Sequence, residues 1–211
     1  MAFSDDIWWT RKARIQTEKR LLSSAHQSQL LLLWYSFSAV AVSIYYLKFA
    51  SADNDFAGVA WVIYSILPLT MSGYLAGRSF KERSSQIKEC YEALKSVEQK
   101  VKKLESLPVG AATQEDWESI REEYRVLLGL CENHTDSDMT KALCLEHLTT
   151  PGKADKNTSL KPNMTKCPTL YHWFVFIRDI IKQLIALFIM YTLPIIIFIY
   201  LESTNGCATA V

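Results

Sequence analysis

Residues able to do chemistry crowd into the stretch YRVLLGLCENHTDSDM, where Cys131, Glu132, Asn133, His134, Asp136 and Asp138 fall within eight positions. A cysteine and a histidine three residues apart can share a helix face, the arrangement in which an imidazole draws a proton from a thiol nucleophile. His134 and Asp138, four apart, have the spacing of two metal ligands on one face. The competing reading is architectural. Tyr124, Leu127, Leu128 and Leu130 mark an amphipathic helix, Asn133 suits its left-handed C-cap, and His134 complements the dipole there. Asp136 or Ser137 would then cap a following helix with Met139, Leu143 and Leu145 on its apolar side. No Walker loop, GxGxxG, HExxH or GxSxG occurs in the chain, so the usual phosphate-cradling and nucleophile signatures are missing. The architectural reading is preferred, with no enzyme activity, cofactor or metal expected.

The elements that must position this stretch are set by three blocks without a charged residue: Leu30–Leu47, Gly58–Gly77 and Gln183–Leu201. Each runs about 18 to 20 residues, enough to cross roughly 30 Å of hydrocarbon as a helix. Twenty-nine residues precede the first block and no small-residue cleavage site follows it, so it is expected to be a retained span and not a signal peptide. The expected organisation is an amphipathic helix over 1–29, a transmembrane hairpin over 30–77 with spans near 30–48 and 58–77, and a helical region over 78–148. A linker over 149–168, a third transmembrane helix over 169–201 and a tail over 202–211 complete it. The fold class is therefore an all-α membrane protein, and the bilayer is the first partner. A net charge of +1 gives no reason to expect nucleic acid.

Arg11, Lys12, Arg14, Lys19 and Arg20 precede the first block, Arg78, Lys81, Arg83 and Lys88 follow the second, and Lys166, Arg178 and Lys182 precede the third. The link SADNDFA, with Asp53 and Asp55, and the segment beyond Glu202 carry no basic residue. The positive-inside bias then places the N-terminus and the charged middle in the cytosol and the C-terminus outside. Of the five cysteines, Cys90, Cys131, Cys144 and Cys167 would lie in the reducing compartment and Cys207 outside it. Acceptor patterns at Asn133, Asn157 and Asn163 point to the opposite topology, and the charge bias is given more weight.

Within this frame, Ser4 is expected to cap the first helix, with Asp5 and Asp6 in its first turn and an apolar stripe of Trp8, Ile15 and Leu22. Such a helix either lies under the inner leaflet or packs on the charged middle. Pro68, Gly73, Gly77 and Pro194 are hinge candidates, and Gly73-xxx-Gly77 offers a flat face for helix contact. Lys48 snorkels or lines a pore, and the hydroxyls of Ser36, Ser38, Ser43, Tyr64, Ser65, Thr70 and Ser72 either face water or join helices. No Gly or Pro occurs from Arg78 to Leu107, so the second span is expected to continue unbroken. Ile87, Tyr91, Leu94, Val97, Val101 and Leu104, spaced 4, 3, 3, 4 and 3, read as a coiled-coil seam left for partner subunits of a homo-oligomer. After Pro108-Val-Gly110 a second helix restarts near Thr113 with Asp116 in a capping box and Trp117, Ile120 and Tyr124 on one face, making an antiparallel hairpin. Tyr171, Trp173, Phe174 and Phe176 form an aromatic belt at the inner interface, where Lys182 can snorkel.

The order WTRKARIQTEKRLL, a two-span hairpin, RSFKERSSQIKECYEALKSVEQKV and YRVLLGLCENHTDSDM resembles the SLATT family of two-transmembrane effectors of bacterial nucleotide-signalling and conflict systems. The likeness covers roughly residues 8–140 and, more loosely, the third apolar segment. It rests on Arg14, Arg20 to Leu22, Lys81, Arg83, Tyr91, Leu94, Tyr124, Leu127, Glu132, Asn133, His134 and Asp138. The resemblance implies an effector of the bacterial inner membrane that forms pores or lesions once a sensor or nucleotide-signal-producing protein encoded nearby has fired. A constitutive scaffold that recruits a cytosolic partner through the helical hairpin is the alternative.

Overall fold

The computed structural model describes residues 2–49, 55–108, 110–155, 159–162 and 164–208. Asp53, Asn157, Asn163 and the last residues of the tail lie outside them. Among the described residues six helices follow in order: α1 Phe3–Phe49, α2 Asp55–Ala76, α3 Phe80–Glu105, α4 Gln114–Gly129, α5 Asp136–Thr149 and α6 Leu170–Ala208. No strand occurs among the described residues. Helices occupy all three uncharged blocks, and α1 and α6 are each long and apolar enough to cross a membrane. The chain divides into two compact units, Met1–Ser23 with Phe80–Ile180 and Ser24–Ser79 with Ile181–Val211.

In the first unit, α3 and α4 are antiparallel, since Arg83 pairs with Glu132 while Lys100 pairs with Glu123. Gly110 takes a left-handed φ of +89° in the connecting turn, a conformation without penalty for glycine. The expected capping box is present: Thr113 Oγ1 accepts the Asp116 N–H at 3.2 Å and Asp116 accepts the Thr113 N–H at 2.9 Å. The Thr113 hydroxyl and N–H hold the Asp116 carboxyl below its ordinary range.

Several expectations are corrected here. Residues 1–29 are not a separate helix, because α1 runs without a break from Phe3 to Phe49, a stretch lacking Gly and Pro. Of the two placements expected for them, packing on the charged middle is the one found, with Ile7 against Val97 and Val101. Its buried row is Ile7, Arg14 and Leu21 with Ala13 and Thr17, whereas Leu22 is 46% exposed. The apolar stripe is thus offset by one residue from Trp8, Ile15 and Leu22. Ser4 does not cap the helix. Glu105 does so from outside, accepting the Ser4 N–H at 3.1 Å and its hydroxyl at 2.5 Å. The second span does not continue into α3, for Ser79 adopts a left-handed φ of 43° between them, which no α-helix accommodates.

The seam is also not left over. Ile87, Leu94, Val97 and Val101 are at most 1% exposed within a single chain, and Val97 and Val101 pack with Ile7 of α1 and with Trp117, Ile120, Tyr124 and Leu127 of α4. Two amphipathic helices of the same chain satisfy the row that heptad spacing would assign to a partner. Segment 149–168 is irregular and largely exposed beyond Thr149 where it is described, as a linker would be, but it is tied down at a few points. Met164 is buried with Trp9 and Leu143, the Trp9 indole donates to Thr165 Oγ1 at 2.9 Å, and Lys161 Nζ caps α5 through the carbonyls of His147 and Thr150 at 2.5 and 3.0 Å.

In the second unit, Val42, Tyr46, Ala60, Tyr64 and Leu201 form the core. Its outer surface is no less apolar: Leu33, Phe37, Leu69 and Phe188 are all more than 60% exposed. A unit that is hydrophobic inside and out is suited to hydrocarbon as solvent.

Candidate functional site

The chemistry-bearing stretch falls at the junction of α4 and α5, in a different register from the one its residue types suggested. α4 ends at Gly129 with Leu130 in right-handed conformation, so Asn133 is not a left-handed C-cap. It sits exposed in the connecting loop, its side-chain oxygen accepting the His134 N–H at 3.0 Å. Neither Asp136 nor Ser137 caps α5. Thr135 does, through a capping box in which its hydroxyl accepts the Asp138 N–H at 3.3 Å and Asp138 accepts the Thr135 N–H at 3.1 Å. The Thr-x-x-Asp spacing was the available sequence signal.

Asp138 is the centre of the junction. It is 1% exposed and accepts from Thr17 Oγ1 at 3.0 Å, Arg20 Nε at 2.9 Å, Arg20 Nη2 at 3.0 Å and Thr135 Oγ1 at 2.9 Å. Burial alone would raise the carboxyl, but the Arg20 fork and the two Thr135 bonds outweigh it and hold it below the ordinary carboxylate range. Four of these donors converge on Oδ2 and Arg20 Nε holds Oδ1, so the carboxylate is tied at once to α1 and to the cap of α5.

Arg14, on the same face of α1, is fully buried and has no carboxylate partner among the described residues. Its guanidinium donates to the Cys90 sulfur and to the carbonyls of Leu127 at 3.4 Å and Leu128 at 3.2 Å. Those carbonyls belong to the last turn of α4, where no intrahelical donor remains and the dipole is negative. Arg14 is therefore the C-cap of α4, supplied by α1.

The Cys131–His134 pair lies beside this cap. Burial, then a hydrogen bond with Cys90, push the Cys131 thiol up to about 12 against the opposing pull of Arg14. Burial and Arg14 both push the His134 imidazole down, which leaves it neutral near pH 7. No hydrogen bond joins the Cys131 thiol to the His134 imidazole among the described residues, and His134 Nδ1 is buried with no partner there, so the thiol–imidazole contact that nucleophile activation needs is not seen. No grouping of three or more His, Cys, Asp or Glu side chains suited to a metal occurs among the described residues.

The remaining motif positions form further ties. Arg83 clasps Glu132 through three contacts of 2.6 to 2.8 Å. Tyr124 shares a 3.2 Å hydrogen bond with Thr10 and meets Phe3 edge-on. Burial and a bond to Glu18 push the Tyr91 phenol up to about 12. Sequence reading missed the ion pairs Arg11–Glu98 and Lys12–Glu146, at 2.8 and 2.9 Å. Their partners lie far apart in the chain and carry no local signal.

In the second unit the hinge candidate Pro194 is fully buried. Proline lacks the N–H that would reach the carbonyl of residue 190. That Met190 carbonyl accepts from the Tyr35 hydroxyl at 3.0 Å, and the next, Tyr191, from the Trp34 indole at 2.9 Å. The Tyr64 hydroxyl of α2 donates to the carbonyl of Pro194 itself. The proline is braced from two helices. Of the hydroxyls read as a polar stripe, Tyr64 thus joins two helices, while Ser36, Ser38, Ser43 and Thr70 bond to their own helices, at Leu32, Trp34, Ala39 and Ile66. Gly73 has open space around it, and Gly77 meets only its own helix.

Six helices, a clamp of ion pairs at one place and an apolar three-helix unit at another define an all-α membrane protein. Residues 2–201 match the family described as SMODS and SLOG-associating 2TM effector domain family 5. The chain belongs to that family, the SLATT proteins, and is a membrane effector. Nothing among the curated proteins or the solved structures matches it.

Proposed function

We propose that this effector oligomerises through its spans and permeabilises the bacterial inner membrane when a nearby sensor or nucleotide-signalling partner triggers it, causing death or growth arrest. In this reading the N-terminus and the charged middle are cytosolic, the C-terminus is outside, and no step is enzymatic. The observation that carries it is the disposition of polar groups. Glu132 and Asp138 are taken up by ties between helices, while the second unit presents uncovered apolar side chains on every helix. Because Ile87, Leu94, Val97 and Val101 are spent inside one chain, association is assigned to surfaces such as the open Gly73–Gly77 face, where backbones can approach closely.

Dye release from liposomes over a range of protein-to-lipid ratios tests it. Release rising more steeply than linearly with protein, and reduced in Gly73→Leu with insertion intact, is expected. Cross-linked oligomers that release no dye at any ratio would overturn the proposal in favour of a scaffold.

A further inference from the structure

The second unit contains a groove of about 310 Å³ lined by α1, α2 and α6, including Trp34, Phe37, Ala41, Tyr64, Ile195 and Phe198. It is apolar because its polar tips are turned to other uses: the Trp34 indole to Tyr191, the Tyr64 hydroxyl to Pro194, the Ser38 hydroxyl to Trp34 and the Tyr45 hydroxyl to Glu202. Water in such a space would find no hydrogen-bonding partners. The volume is about twice the ~150 Å³ of a dry cavity that takes up benzene, yet too small for a helix about 10–12 Å across. Its rim is continuous with the outer apolar surface, since Phe37 and Ile195 line it and are themselves 64% and 48% exposed. What meets that rim in a bilayer is hydrocarbon, and leaving the groove empty would forfeit dispersion contacts along its walls.

We propose that this groove is a binding site for one acyl chain of a membrane phospholipid, seated against the braced Pro194 segment. The site rests on the reading of the second unit as membrane-embedded and adds a defined lipid to it. A bound chain differs from the lipid around the protein in being saturable and slow to exchange.

The test uses the full chain in detergent micelles, titrated with phosphatidylglycerol carrying a diazirine in its acyl chain, photolysed and mapped by mass spectrometry. Labelling at Phe37, Ile195 and Phe198 is expected to saturate near one lipid per chain, while Phe188, exposed elsewhere on α6, labels weakly and without saturation. Ala41→Trp, which fills the groove, should reduce labelling at Ile195 by roughly tenfold, equivalent to about 1.4 kcal/mol, and leave Phe188 unchanged. Phe198→Ala, which widens the groove, should keep labelling at or above the parent level, so that loss in Ala41→Trp is not mistaken for misfolding. Equal, unsaturated labelling at Ile195 and Phe188 would overturn the site while leaving the embedding intact. Displacement of the label as protein concentration rises would give the groove to a second copy. No labelling at any of these residues would overturn the embedding as well.

Discussion

The two units satisfy their buried polar groups in opposite ways. In the first, charged side chains meet one another across long sequence separations: Arg20 with Asp138, Arg11 with Glu98, Lys12 with Glu146. In the second, the described side-chain donors largely turn to backbone carbonyls, either in their own helix or at those around Pro194. Asp138 and Glu98 are buried while Arg20 and Arg11 still reach water, so each pair is solvated at its cationic end and fixes which helix sits where. A unit in hydrocarbon carries charge only at heavy cost and must satisfy backbone groups internally, so neutral hydroxyls and an indole repair what proline breaks. Residue type alone is therefore a poor guide to chemistry: Glu132 and Asp138 of the acid–histidine–cysteine cluster are engaged in ties between helices, and in the proposed reading the apolar unit is where the effector acts.

The comparison breaks most visibly at Asp138. Asp138→Ala removes a buried acceptor from Arg20, Thr17 and the α5 cap together, and breaking a buried pair costs about 3–5 kcal/mol. The expected fall in Tm is on the order of 10 °C, read by circular dichroism in detergent; a fall of under ~2 °C would mean the junction is not a clamp. The same carboxyl gives a pH signature. Its folded pKa is depressed below 3.8, so its contribution is present above that value and is lost as pH falls through the folded one. Asp138→Asn should therefore flatten the acid limb of the stability profile and leave the neutral region otherwise parallel to the parent.

In the second unit the expected effect is smaller. Tyr35→Phe leaves the Met190 carbonyl without its donor, at a cost near 0.6 kcal/mol and no more than about 1.7 kcal/mol, measured by steric trapping or denaturant titration in bicelles. A cost equal to that of Asp138→Ala would erase the distinction between the units. Smallest of all is Arg83→Ala. The Arg83–Glu132 pair is bidentate but 31% and 39% exposed, and such pairs contribute about 0.2–1 kcal/mol, less in high salt.

Much of this architecture was legible in the sequence, and what was not has a physical reason. Three uncharged blocks announced helices because span length is set by the bilayer, and Thr113 with Asp116 announced the start of α4 because a capping box is local. The clamp was not legible, since Asp138 meets Thr17 and Arg20 across more than a hundred residues. The α3 row was legible as apolar, but heptad spacing does not say whether the covering helix belongs to the same chain. Ser79 carried no warning either, because serine in left-handed conformation follows from context and not from type. The lost hydrogen bond at Pro194 was foreseeable, while its repair by Tyr35 and Trp34 depends on how α1 and α6 meet.

The central claim is that the Cys131–His134 cluster is structural and that activity resides in the spans. Dye release by the Cys131→Ser, His134→Ala double variant, normalised to folded and inserted protein, tests it most directly. The account predicts release within about twofold of the parent, less than 0.5 kcal/mol. A folded, inserted variant that releases nothing would contradict it and return the cluster to catalysis.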